Sequence, residues 1–134
     1  MEIKAHTVCA GKAEGEAVVY DGAFSFLGDI NPATGKVPVP RHPLEGTSLV
    51  DKVFVFTTGK GSSGGDFAAW MAKQNHNAPA AIICLESEPV LSGAVIITEI
   101  PTVDHPEKNV LELIKTGDFV KVNATAGLIE VVGK

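Results

Sequence analysis

With 134 residues, 45% hydrophobic and 20% charged, the chain can bury one sizeable core but is too short for two ordinary domains, so a single domain spanning 1–134 is expected. Its 11 Lys and Arg against 16 Asp and Glu leave a net charge of −5, which gives no basic field for nucleic acid or an anionic membrane surface. There is no leader-like start and no run of about 18 apolar residues, so a soluble, cytoplasmic protein is expected.

In chain order, Glu2 to Cys9 alternates enough to predict a strand, Gly11 to Gly15 a turn, and Glu16 to Tyr20 a second strand, together a hairpin. From Asp21 to Gly46 the prolines Pro32, Pro38, Pro40 and Pro43 exclude a long helix and predict a long ordered loop or a lobe of short strands. The competing reading, a flexible surface excursion, leaves Phe24, Phe26 and Leu27 with nowhere to pack. Ser48 to Thr57 is nearly continuously apolar, as in a strand covered on both faces, and Asp66 to Asn75 has helical spacing. Ala80 to Leu85 and Ala94 to Thr98 are predicted as further buried strands, Pro106 to Lys115 as a short helix, and Phe119 to Val132 as a hairpin turning at Asn123 to Gly127. Cys9 and Cys84 lie far apart in apolar runs, form no C-x-x-C, and read as reduced core thiols; no residue is assigned to a metal.

The stretch from Phe54 to Asp66 carries the chemistry: a buried strand, the turn Gly59-Lys-Gly-Ser-Ser-Gly-Gly65, then a helix. Such a turn offers free backbone N–H groups and a positive helix end to an anionic or oxyanionic ligand. Gly59-x-Gly61-x-x-Gly64 also satisfies the dinucleotide fingerprint, with Glu86 about 20 residues on. Against that reading, some 50 residues of proline-rich, β-like chain precede the strand and no further β-α-β units are predicted. A Walker A loop is excluded, because Lys60 is followed by Gly61. Ser63-x-x-Asp66 is a capping box, which accounts for one serine but not for Ser62 or the surrounding glycines. No G-x-S-x-G elbow is present, and the spacing of His6, His42, His76 and His105 singles out none as a triad partner.

The order strand, Gly-Lys-Gly-Ser62-Ser63-Gly-Gly, helix, preceded by Asn31-Pro-Ala-Thr-Gly35 and His42-Pro-Leu-Glu-Gly46, resembles the small subunit of the aconitase X family over most of the chain. The resemblance implies an α/β fold, the single swivelling β/β/α domain that forms the mobile fourth domain of aconitases. It implies a heterodimer with a large catalytic subunit that carries a [4Fe–4S] cluster on its own cysteines. Among archaeal members it implies dehydration of (R)-5-phosphomevalonate, a phosphorylated hydroxy acid, to trans-anhydromevalonate 5-phosphate in the archaeal mevalonate pathway, with the cluster iron as Lewis acid on the departing hydroxyl.

Carried over by position, Ser62 is the proton-abstracting base and Ser63 a substrate contact, with the amides around Gly61 and Gly64 holding the ligand. Aconitases read Gly-Ser-Ser-Arg here; the arginine position is Gly64 in this chain, so Lys60, Arg41 or a residue of the large subunit is the expected cation. Asn31 and Thr34 are further candidates for the pocket, with an Asx- or Ser/Thr-type turn as the competing reading. Lowering a serine hydroxyl by ~4 pKa units needs roughly 5–6 kcal/mol. A helix N-terminus supplies at most ~2 kcal/mol, so converging N–H donors and a partner's charge must supply the rest, and the isolated chain is expected to be inactive. A hydroxyproline dehydratase subunit of the same family, and a non-catalytic module for a small ligand or dinucleotide, stay open as alternatives.

Overall fold

The structure is a computed structural model that describes residues 1–25, 29–60 and 65–133. Among the described residues the strands are β1 (Glu2–Lys4), β2 (His6–Cys9), β3 (Lys12–Val19), β4 (Ala23–Phe24), β5 (Val53–Phe56), β6 (Thr58–Gly59), β7 (Ala81–Cys84), β8 (Thr102–Asp104), β9 (Phe119–Asn123) and β10 (Leu128–Gly133). Among the described residues lie the helices α1 (Gly65–Gln74), α2 (Pro89–Thr98) and α3 (Val110–Leu113). Eight strands form one sheet in the order β1-β10-β9-β3-β5-β7-β8-β2, and β4 pairs with β6 in a second, small sheet.

The long strand β3 joins two halves. Lys12 to Glu16 pair antiparallel with β9, and Ala17 to Val19 pair parallel with β5. Gly15 sits at the changeover, where a Cβ would lie 2.7 Å from the Asp51 carbonyl oxygen, so the crossing backbone demands glycine. The sheet's outermost strands, β1 and β2, are consecutive in the chain and separated only by Ala5, whose N–H donates to the Gly127 carbonyl at 2.8 Å. The sheet therefore curls back on itself. Side chains alternate between two cores, as period-2 strands require. Val53, Val55, Ala81 and Ile83 face Ile3, Val103, Val110, Ile114, Val120 and Ile129 on the inside of the curl. Phe54, Phe56, Ile82 and Cys84 face α1, α2 and the proline-rich lobe.

Most of the predicted elements stand close to their expected places: the doubly covered strand is β5, fully buried, and the 66–75 helix is α1. Three expectations fail. The first predicted strand is two, because Ala5 carries the chain from one end of the sheet to the other, and β2 pairs with β8 rather than forming a hairpin with the following segment. The turn expected at 11–15 lies largely inside β3. Ala94 to Thr98 is the end of a helix rather than a strand: Glu88 caps α2, Pro89 opens it, and Glu99 closes it in the left-handed region at φ 58°. A short apolar run does not distinguish a buried strand from a helix turn by periodicity alone. The buried strand expected there is β8, which begins four residues after Thr98. Phe24, Ile30, Val37 and Leu44 are buried, so the described part of the lobe after Asp21 is packed core rather than a surface excursion; Phe26 and Leu27 lie outside the described residues.

Candidate functional site

The parallel strands β3, β5, β7 and β8 end on one edge, and the chain's chemistry-bearing loops leave from that edge. The glycine loop follows β5 and β6 and leads into α1. Ser62, Ser63, Gly61 and Gly64 lie outside the described residues, so the site is read from the walls around them.

The first wall is Lys60. Its Nζ lies 2.6 Å from Asp29 Oδ2, and Asp29 is buried in the proline-rich lobe. The same carboxylate oxygen accepts the Ser25 N–H at 3.0 Å, and the Asp29 N–H donates back to the Ser25 carbonyl at 3.2 Å. A buried acid thus fixes the ammonium that enters the glycine loop. No local pattern marks Asp29, because its partner is 31 positions away and only the tertiary fold brings them together.

The second wall is Glu88, at the start of α2. Its two carboxylate oxygens accept the N–H groups of Val90 at 2.9 Å and Leu91 at 2.7 Å, satisfying two orphan donors of the helix. The carboxylate lies directly over Gly59: a Cβ there would sit 2.9 Å from Glu88 Cδ and closer still to Oε1. The first glycine of the supposed dinucleotide fingerprint is therefore a packing glycine beneath a helix cap. The dipeptide Glu88-Pro89 was the available sequence signal, since an acid before a proline marks a helix start.

Topology also weighs against the dinucleotide reading. The strands run β3-β5-β7-β8 without a reversal of order, and α1 and α2 pack together in the same core on one face. The doubly wound fold instead places its crossover helices on both faces and binds its ligand where strand order reverses.

Asn31 and Thr34 take the turn role. Asn31 Oδ1 accepts the Ala33 N–H at 2.9 Å, and Thr34 Oγ1 accepts the Lys36 N–H at 3.3 Å. The adjacent Pro32 carbonyl accepts from the side-chain amides of Asn75 and Asn77, just past the C-terminal end of α1. Arg41 is exposed, with a left-handed backbone at φ 64°, and its N–H donates to Glu45 Oε1 at 3.2 Å. Its neighbour His42 accepts the Leu44 N–H at Nδ1 (3.0 Å), which assigns the proton to Nε2. That Nε2 is buried without a hydrogen-bond partner among the described residues, and the ring packs against Tyr20 at 4.6 Å.

Of the four histidines, His6 and His105 meet at Asp104. Ser87 Oγ bonds the same carboxylate at 2.7 Å. Serine and histidines thus converge on the acid, an arrangement that does not relay a proton from serine to histidine as a Ser-His-Asp triad would.

Both cysteines are free. Cys84 is buried, and burial followed by the nearby Asp104 charge pushes its thiol up to about 12. The half-buried Cys9 is also raised, chiefly by burial. Two cysteines do not supply the four thiolates that an iron–sulfur cluster takes. Among the described residues, no helix is long and apolar enough to cross a membrane.

The sequence profile of the aconitase X swivel domain matches residues 2–131. The chain is 40% identical to the phosphomevalonate dehydratase small subunit of Methanococcoides burtonii, over 100% of this chain and 98% of that protein. It is 45% identical to the protein of the same name from Methanosarcina mazei, over 98% and 92%. Among solved structures, the crystal structure of Thermococcus kodakaraensis aconitase X in its holo-form superposes with a TM-score of 0.93 at 38% identity, covering 98% of each chain.

Proposed function

Because the chain belongs to the aconitase X swivel-domain family, we propose that it is the small subunit of a hydro-lyase that dehydrates (R)-5-phosphomevalonate to trans-anhydromevalonate 5-phosphate. The observation that carries this reading is similarity along the whole chain, at 40% and 45% identity, to proteins named phosphomevalonate dehydratase small subunit. That name implies a larger partner, and the two subunits form the working enzyme in the cytoplasm.

In this reading Ser62, as its alkoxide, accepts the proton from the carbon beside the substrate carboxylate; the C–O bond on the adjacent carbon breaks, and the departing hydroxide takes up a proton, so that one H2O is lost overall as the C=C bond forms. Ser63 and the amides at Gly61 and Gly64 hold the anionic substrate at the N-terminal end of α1. Lys60, aimed by Asp29, supplies the positive charge that the missing arginine would have given; the 2.6 Å pair supports this choice. Arg41, exposed on the lobe, is a second cation for the assembled site, and Asn31 and Thr34 shape the lobe that borders it. Iron–sulfur chemistry is a property of the aconitase-type dehydratases, and we assign the cluster to the large subunit, because Cys9 and Cys84 are too few to hold it.

The test is co-production with a large subunit of the family, followed by an assay of phosphomevalonate dehydration. The complex turns over and the isolated chain does not. Ser62→Ala assembles normally but loses turnover by about 10²- to 10⁴-fold, the usual contribution of a positioned base. A near-normal rate in that variant removes Ser62 from the role, and turnover of hydroxyprolines in place of phosphomevalonate identifies the sister activity instead.

A further inference from the structure

Away from the glycine loop, metal-ligating side chains converge at one place among the described residues: His6, Asp104 and His105, where the edge strand β2 pairs with β8. His6 and Asp104 are directly opposite in the antiparallel register, so their side chains share a face. His105 follows at once, in a left-handed conformation at φ 45° that is uncommon for a non-glycine residue and turns its ring back over the carboxylate before it. Asp104 Oδ1 lies 2.7 Å from His6 Nδ1 and 3.2 Å from His105 Nδ1. One potential ligand atom from each residue falls within 4.8 Å of the others.

The rest of the carboxylate is already committed. Asp104 is buried, and its Oδ2 accepts the Ser87 hydroxyl at 2.7 Å and the Ser87 N–H at 3.3 Å. Such outer hydrogen bonds orient a ligating carboxylate, leaving Oδ1 for the imidazoles. The two imidazoles, by contrast, are 72% and 63% exposed, so solvent reaches the side of the cluster opposite Ser87.

We propose that His6, Asp104 and His105 form a binding site for a single zinc-like divalent cation, with its remaining coordination position open to water. Two imidazoles and one carboxylate suit Zn²⁺ or its transition-metal neighbours, whereas Mg²⁺ and Ca²⁺ prefer all-oxygen shells. Ligands at about 2.0–2.2 Å from a tetrahedral ion stand roughly 3.3 Å from one another. Asp104 Oδ1 and His105 Nδ1 already have that spacing, at 3.2 Å. His6 must open slightly from 2.7 Å, which its exposed ring can do without disturbing the core.

The experiment titrates Zn²⁺ into the full chain by calorimetry and follows the histidine ring nitrogens by ¹H–¹⁵N NMR. One equivalent binds, and the ring signals of His6 and His105 shift while those of His42 and His76 stay in place. The double variant His6→Gln/His105→Gln changes two exposed side chains, so it keeps the fold, checked by circular dichroism, and loses at least about tenfold in affinity. The proposal is overturned by the absence of saturable binding up to about 1 mM (−4.1 kcal/mol), by unchanged affinity in the double variant, or by ring shifts at His42 or His76 instead.

Discussion

Replacing Gly59 with alanine isolates the contact between the glycine loop's entry strand and the cap of α2. The new methyl would meet Glu88 at Cδ (2.9 Å) and Cγ (3.0 Å), and at Oε1 closer still. The least costly response is rotation of the Glu88 side chain, which gives up its hydrogen bonds to Val90 N–H and Leu91 N–H and its charge at the helix N-terminus. Loss of a cap costs about 1–2 kcal/mol. At about 4 °C per kcal/mol for a domain of this size, the melting temperature should fall by about 4–8 °C. Glu88→Ala loses the same cap and should cost about the same. Because the two changes remove one interaction, the double variant should be no less stable than either single one to within about 0.5 kcal/mol. The assay is thermal unfolding of the four proteins by circular dichroism. Simple additivity, or a Gly59→Ala protein with the parent's melting temperature, would falsify the packing assignment of Gly59.

Two further outcomes follow from the Lys60–Asp29 pair and from the buried Cys84. In the assembled enzyme, Lys60→Met should raise KM for the phosphorylated substrate by about tenfold or more, as expected for loss of a charge-assisted hydrogen bond, and Asp29→Asn should act in the same direction because Lys60 is no longer aimed. An unchanged KM in Lys60→Met transfers the cation role to another residue. The Cys84 thiol, pushed from 9.0 up to about 12, stays protonated in the fold while the unfolded chain ionises above about pH 9. The folded state then binds more protons than the unfolded one, so Cys84 contributes stability that is full below pH 9 and declines as the pH rises towards 12. Cys84→Ala should lessen that alkaline loss, which urea titrations at pH 8 and pH 10 measure; an equal loss in both proteins refutes the assignment.

Much of the α/β framework was written in local chemistry. The continuous apolar run at Val53 to Phe56 belongs to a strand buried on both faces, and the spacing after Asp66 to a helix packed on one side, whatever surrounds them. The Gly-Ser loop was conspicuous for a similar reason: glycines clustered between a strand and a helix signal an anion-binding turn in the letters themselves. What the letters could not carry was any arrangement built from partners far apart in the chain. The Ala94 to Thr98 run was ambiguous until its cap and the packing against Ile82 and Cys84 were in place. Gly59 matched a dinucleotide fingerprint until Glu88 was found above it. Asp29 with Lys60, and His6 with Asp104 and His105, are pairs and clusters of unremarkable residues until the curled sheet and the packed lobe set them within hydrogen-bond reach. Strand and helix periods are properties of neighbouring residues, so the sequence determined them alone; electrostatic partnerships depend on separation in space, so only the tertiary structure decided them.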